Sequence, residues 1–306
     1  MSAKIEATSI AYQGHTAAVY ALATGPTERS FISAGGDGQV IAWDLDTPDQ
    51  GRLLAKVSDA IYSVLLDNER DRLLIGTGAG RLHVIDLQAK AEVQVVELHR
   101  KGIFRIVAHT PRGFLCAGGD GILSVWGWTA GADPAASVEL QRQIPLCDEK
   151  LRDIALSPTA DRVALACGDG SVREFEPTLF NETLRMVGHS GGVTCVHYHP
   201  NKPVLISGGK DGELRFWHTH EDGREVHGFP AHKGSIYAAG VSSSGTQLAS
   251  VGRDSLLKIW NANDLSPVHR TTRDRSGHTH SVNAALWLGD TLITASDDRM
   301  VRVWTF

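Results

Sequence analysis

The chain has 306 residues, a formal charge of −5, and 42% hydrophobic and 21% charged residues, an ordinary globular composition. It carries no basic block, which argues against a nucleic-acid or anionic-membrane partner, since both require clustered Lys and Arg. No apolar run approaches membrane-spanning length, and the start MSAKIEATSI lacks the apolar core of a secretory leader.

In chain order, KIEATSIAY reads as a first strand. VYALAT, RSFISAGG and QVIAWDL follow, apolar or β-branched and separated by Gly, Pro, Asp and Thr turns. The segment AGGDGQVIAWD at 34–44 then returns along the chain. A worn copy, GTGAGRLHVID, lies at 76–86, and AGGDGILSVWG lies at 117–127. CGDGSVREFE (167–176), GGKDGELRFWH (208–218), VGRDSLLKIWN (251–261) and ASDDRMVRVWT (295–305) complete the series. The tryptophan position falls at Trp43, Ile85, Trp126, Phe175, Trp217, Trp260 and Trp304, with spacings of 42, 41, 49, 42, 43 and 44. Seven units of this period, with no helical periodicity, predict an all-β fold. The expected architecture is a seven-bladed β-propeller with four antiparallel strands per blade.

One domain over 1–306 is expected, with blades at 13–57, 58–98, 99–146, 147–188, 189–231, 232–276 and 277–306. Residues 3–12 would return as the outer strand of the last blade and protect its edge. The 49-residue spacing places an insertion, GWTAGADPAASVE, in the third blade, read as a longer surface turn.

A second pattern runs in phase. His15, His99, His189, His232 and His278 precede Asp37, Asp120, Asp211, Asp254 and Asp298 by about 22 residues. Six residues after each Asp stands Trp43, Trp126, Trp217, Trp260 or Trp304, and four before it stands Ser33, Cys116, Ser207, Ser250 or Thr294. An indole N–H can donate to the hydroxyl, the hydroxyl to imidazole, and imidazole to the carboxylate, so every buried polar group is satisfied. In this pattern the sequence resembles the WD-repeat propeller family across all seven units. Units two and four have lost the set: Ala79 and Ile85 stand for Asp and Trp in one, Cys147 and Phe175 for His and Trp in the other.

A Ser, His and Asp together also suggest a hydrolase triad, but a triad occurs once per active site and this set recurs. GTGAGR looks like a dinucleotide loop, yet a strand follows it where such a loop requires a helix. His-x-His pairs occur at His197/His199, His218/His220 and His278/His280, with His220, His227 and His232 clustered. No further ligand follows from the spacing, so no metal or other cofactor is expected. Cys116, Cys147, Cys167 and Cys195 lack CxxC spacing and read as small buried thiols, which fits a reducing cytoplasm.

The resemblance implies that peptides dock over the channel mouth, on the face formed by the loops holding the motif His and Asp. Aligning the first strand of each unit puts Tyr20, Tyr62, Phe104, Arg152, Thr194, Tyr237 and Asn283 at the equivalent contact position. Lys150, Lys210 and Arg253 join Arg152 as a basic rim near units four to six. The candidate partner-binding residues are therefore Tyr20, Tyr62, Phe104, Lys150, Arg152, Lys210, Tyr237 and Arg253. The expected function is a noncatalytic, monomeric scaffold or adaptor for partner proteins or peptides within a multiprotein complex, binding neither nucleic acid nor membrane directly. Two alternatives remain: a propeller enzyme with a channel-centred metal site, and a noncatalytic subunit of a nucleic-acid-processing complex.

Overall fold

The computed structural model describes residues 7–110, 113–129, 137–272 and 277–306. These form seven four-stranded antiparallel sheets, six built from four consecutive strands each. Blade one runs Val19–Thr24, Ser30–Gly35, Gln39–Asp44 and Arg52–Lys56 from the axis outward. The seventh sheet takes its inner three strands from Val282–Leu288, Thr291–Ser296 and Val301–Thr305, and its outer strand from Thr8–Tyr12. That closing strand runs antiparallel to Val301–Thr305, pairing Thr8 with Thr305 and Tyr12 with Val301. No helix among the described residues is long and apolar enough to cross a membrane.

Burial along a blade explains the sequence pattern. Second strands are covered on both faces by neighbouring blades, so they read as near-continuous apolar runs such as Leu73, Leu74 and Ile75. Outermost strands are largely exposed or half-buried; Leu53 and Val95 are exposed. The core is accordingly divided into seven apolar clusters of buried side chains. The cluster between blades seven and one contains Tyr12, Phe31, Trp43, Val301 and Val303, so the closing strand also fills the seam beside it. Tyr12 meets Phe31 and Trp43 edge-on at 5.6 and 5.5 Å between ring centroids.

The Gly-Asp-Gly segments are hairpin turns. Gly38, Gly80, Gly121, Gly170 and Gly212 all have φ between 71° and 91° at the residue that re-enters the third strand. A side chain there would also meet a neighbouring backbone carbonyl, since a Cβ on Gly121 would lie 1.8 Å from the Cys147 oxygen. Blades six and seven place Ser255 (φ 70°) and Arg299 (φ 71°) in the same conformation. In blade three, Thr129 N–H donates to the Ser137 carbonyl at 2.9 Å across the base of the insertion. Residues 130–136 of that insertion lie outside the described residues.

Candidate partner-binding face

The motif residues meet as hydrogen-bonded chains. In blade one, Trp43 Nε1 donates to Ser33 Oγ (2.7 Å), Ser33 Oγ lies 2.8 Å from His15 Nε2, and His15 Nδ1 lies 3.0 Å from Asp37. Since the indole can only donate, the hydroxyl accepts from it and donates to Nε2. The imidazole proton therefore sits on Nδ1, facing the carboxylate. Blade five repeats the chain through Trp217, Ser207, His189 and Asp211, and blade six through Trp260, Ser250, His232 and Asp254. Blade seven does so through Trp304, Thr294, His278 and Asp298.

Blade three corrects the reading in which Cys116 stands in for the hydroxyl. His99 Nε2 lies 3.0 Å from Ser124 Oγ, and Trp126 Nε1 donates to the same atom at 2.8 Å. Ser124 is directly opposite Cys116 in the strand pair. The hydroxyl has crossed to the adjacent strand and still reaches the same imidazole, which bonds Asp120 at 2.9 Å. Blade four, without His and Trp, keeps Asp169. There the Arg173 guanidinium donates at 2.9 Å and Ser171 Oγ at 2.6 Å. Arg173, opposite Leu165, stands at the position equivalent to Ser124. In blade two, His83 bonds Glu92 at 2.6 Å. Only a cross-strand alignment of the units shows these three substitutions; spacing along the chain does not.

The carboxylates also anchor the loop that enters each innermost strand. Backbone N–H groups of Thr16, Arg100, Ser190, Lys233 and Thr279 donate to the network Asp of their blade at 2.8 to 3.3 Å. Burial opposes ionisation of each of these aspartates, yet the His and backbone N–H bonds outweigh it and hold all five below the ordinary carboxylate range. Asp298 is held lowest, at about 2. Burial pushes His189 below its ordinary value, which keeps it neutral as the chain requires.

A second recurrent bond lies beside this one. The residue before each turn position, from Gly36 to Asp297, donates its N–H to the carbonyl just ahead of the innermost strand. These seven bonds measure 2.8 to 3.0 Å; Gly36 to Ala18 and Gly168 to Lys150 are two of them. Immediately after, all seven innermost strands break register, between Val19 and Ala21 and at each equivalent point. The residue skipped in each case is Tyr20, Tyr62, Phe104, Arg152, Thr194, Tyr237 or Asn283. A bulge re-aims the extra side chain out of the sheet. Here seven bulges re-aim seven side chains, all of which line one cavity of about 710 Å³ at the channel mouth.

Four of those side chains touch in sequence. Tyr20 meets Tyr62 edge-on at 5.3 Å, Tyr62 stacks on Phe104 at 5.4 Å with 7° between planes, and the Arg152 guanidinium lies 4.3 Å from the Phe104 ring centroid. Lys150 Nζ stands 5.6 Å from the same ring. Burial lowers the Arg152 pKa from its ordinary value, and burial with Asp297 nearby raises that of Tyr20. Thr194 and Asn283 are spent on structure: Thr194 donates to the Gly208 and Ile236 carbonyls, and Asn283 to Val19 O and Asp297. Tyr237 lines the cavity, whereas Lys210 and Arg253 are exposed and do not. The basic side therefore shifts from units four to six toward blades three and four, where Arg100, Lys101 and Arg105 join Lys150 and Arg152. Those three lie outside the recurring motif positions, so the repeat does not point to them. Deeper in the channel, Arg105 pairs with Asp153 at 3.3 Å, and Asp153 accepts the Ile154 and Val196 N–H groups. Burial raises the Asp153 pKa above the ordinary value.

Of the His-x-His pairs, His278 belongs to the blade-seven chain and His280 contacts Thr279 Oγ1; no group of three potential metal ligands assembles among the described residues.

The sequence pattern of the family described as "WD domain, G-beta repeat" matches residues 7–44, 181–218, 223–261 and 269–305. The chain belongs to the WD-repeat family. The stretch from 45 to 180, where blades two to four carry altered networks, is not matched. Similar proteins include WD repeat-containing protein 90 of Xenopus tropicalis, 26% identical over 68% of this chain and 12% of its own length. Transducin beta-like protein 3 of Mus musculus is 24% identical over 95% of this chain and 32% of its own, and striatin of Rattus norvegicus is 28% identical over 41% and 19%. The chain thus spans a third or less of the length of these relatives.

Proposed function

We propose that this WD-repeat propeller is a noncatalytic scaffold or adaptor that seats an extended segment of a partner protein on its bulge-lined face. The continuous arc Tyr20–Tyr62–Phe104–Arg152 carries the reading: half-buried rings with a guanidinium at one end offer flat apolar contact beside positive charge. Aromatic and Arg side chains concentrate binding energy at interfaces. The fitting ligand is a short peptide with an apolar or aromatic anchor followed by acidic groups, the anchor on the rings and the acids toward Lys150 and Arg152. A reducing cytoplasmic setting, within a multiprotein complex, accords with four unpaired thiols. The channel's charged pair, Arg105 and Asp153, is committed to itself and to backbone N–H groups, which favours a binding role over a channel-centred chemical one.

Combined Tyr62→Ala and Phe104→Ala substitution is expected to abolish capture of the main co-purifying protein from the native cell while the thermal transition persists. Undiminished capture by a folded double variant would remove this face from consideration.

A further inference from the structure

Blade four carries two of the chain's four cysteines where blades three and five carry the motif histidine and a glycine. Leu151 pairs with Cys167 as Ile103 pairs with Gly118 and Val193 with Gly209. Cys147 lies four residues before Leu151, as His99 and His189 lie before Ile103 and Val193. In blades three and five, a Cβ placed on Gly118 or Gly209 would fall 2.1 or 2.3 Å from Nδ1 of that histidine. Blade symmetry therefore directs the side chains at these two positions into one volume. In blade four that volume receives two thiols instead of one imidazole.

The contacts agree. Cys147 packs against the apolar cluster that contains Cys167, and its thiol donates to the Glu149 carbonyl at 3.1 Å. Cys147 is partly exposed and Cys167 is buried. The backbone is pinned on both sides: Leu146 N–H donates to Gly121 O, and Gly168 N–H donates to Lys150 O at 2.8 Å. Arg173 donates to the Leu146 carbonyl and Asp169, placing its cation beside the pair.

We propose that Cys147 and Cys167 form a peroxide-reactive dithiol site that closes to an intrachain disulfide. The Cys147 thiolate attacks one peroxide oxygen, the O–O bond breaks, and the departing hydroxide takes up a proton as water, leaving a sulfenic acid on Cys147. The Cys167 sulfur then attacks that sulfur, the S–O bond breaks, and the hydroxide leaves as water with the Cys167 proton. The sum is two thiols and one hydrogen peroxide giving one disulfide and two waters. Contact with Cys167 lowers the Cys147 pKa from the ordinary thiol value, whereas burial raises Cys116 and Cys195, which sit in apolar surroundings. The site adjoins Lys150 and Arg152, so closure would tie down the basic end of the partner-binding face.

The test uses the intact chain. It is exposed to dilute hydrogen peroxide, unfolded in an alkylating agent and digested with trypsin without reductant. Cleavage after Lys150, Arg152 and Arg162 puts the two cysteines on separate peptides. The expected product is that pair of peptides joined and lighter by two hydrogens, with Cys116 and Cys195 alkylated. Cys147→Ser is expected to leave Cys167 fully alkylatable. Cys147 oxidised alone, a link between two chains, or four alkylated cysteines in the wild-type protein would each overturn the proposal.

Discussion

Five carboxylates, each bonded to a histidine, carry the polar side of the blades, and their value lies in what each would strand if removed. Ser124 is the sharpest case. It accepts the Trp126 N–H and bonds His99, so Ser124→Ala orphans a buried donor and a buried acceptor. A loss of about 1–3 kcal/mol is expected in chemical denaturation. His232→Ala should cost more than Trp260→Phe, because the imidazole links Ser250 to Asp254 whereas the indole makes a single 3.0 Å bond at the chain's end. An unchanged melting temperature in His232→Ala would contradict the network reading. The same logic sets an acid dependence. Asp298 is held at about 2, below the unfolded carboxylate value near 3.9, so its contribution is fully present above pH 4 and is lost as pH falls toward 2. Asp298→Asn is expected to lower stability at neutral pH by about 2 kcal/mol and to flatten the stability profile between pH 4 and 2. A variant as acid-sensitive as the wild type would place the titrating group elsewhere.

At the scale of the strand and turn, the third-strand hairpin imposes a left-handed residue whatever the side chain. Arg299 occupies it with φ 71° and is exposed. Arg299→Gly relieves a strain of about 1–2 kcal/mol and adds about 0.5–1 kcal/mol of chain entropy, so a net gain of roughly 0.5 kcal/mol is expected in urea titration. Gly121→Ala runs the other way, by about 2 kcal/mol or more, since its Cβ would collide with the Cys147 carbonyl as well as adopt φ 81°. Equal and opposite effects of similar size at the two positions would mean that backbone conformation alone, without the carbonyl contact, sets the cost. The bulge in every innermost strand belongs to this scale too. One extra residue per blade converts a position that would face the sheet into one that faces the channel mouth.

At the scale of the ring, closure rests on five residues, Thr8–Tyr12, supplied from the far end of the chain. Removing residues 1–12 would leave Val301–Thr305 as an open edge and take Tyr12 out of the seam with Phe31 and Trp43. The expected result is a lower melting temperature together with concentration-dependent self-association in size-exclusion chromatography; a monomer of undiminished stability would show that the seam closes without that strand. The period of the repeat, the strand type, the turn glycines and the His-to-Asp spacing were all legible in the sequence, because each depends on local geometry that recurs at a fixed distance along the chain. So was the column Tyr20, Tyr62, Phe104, Arg152, since it follows from aligning equivalent strands. Which members of that column are tied into neighbouring blades was not. Thr194 and Asn283 are drawn into bonds with neighbouring blades, and Arg100, Lys101 and Arg105 turn toward the cavity, through contacts between residues far apart in the chain. The exchange of the blade-three hydroxyl from position 116 to Ser124 was equally hidden, because a cross-strand neighbour is adjacent only once the sheet has formed. Local chemistry therefore wrote the blades into the sequence, while the ring, by bringing seven inner strands around one axis, decided what the face they share can hold.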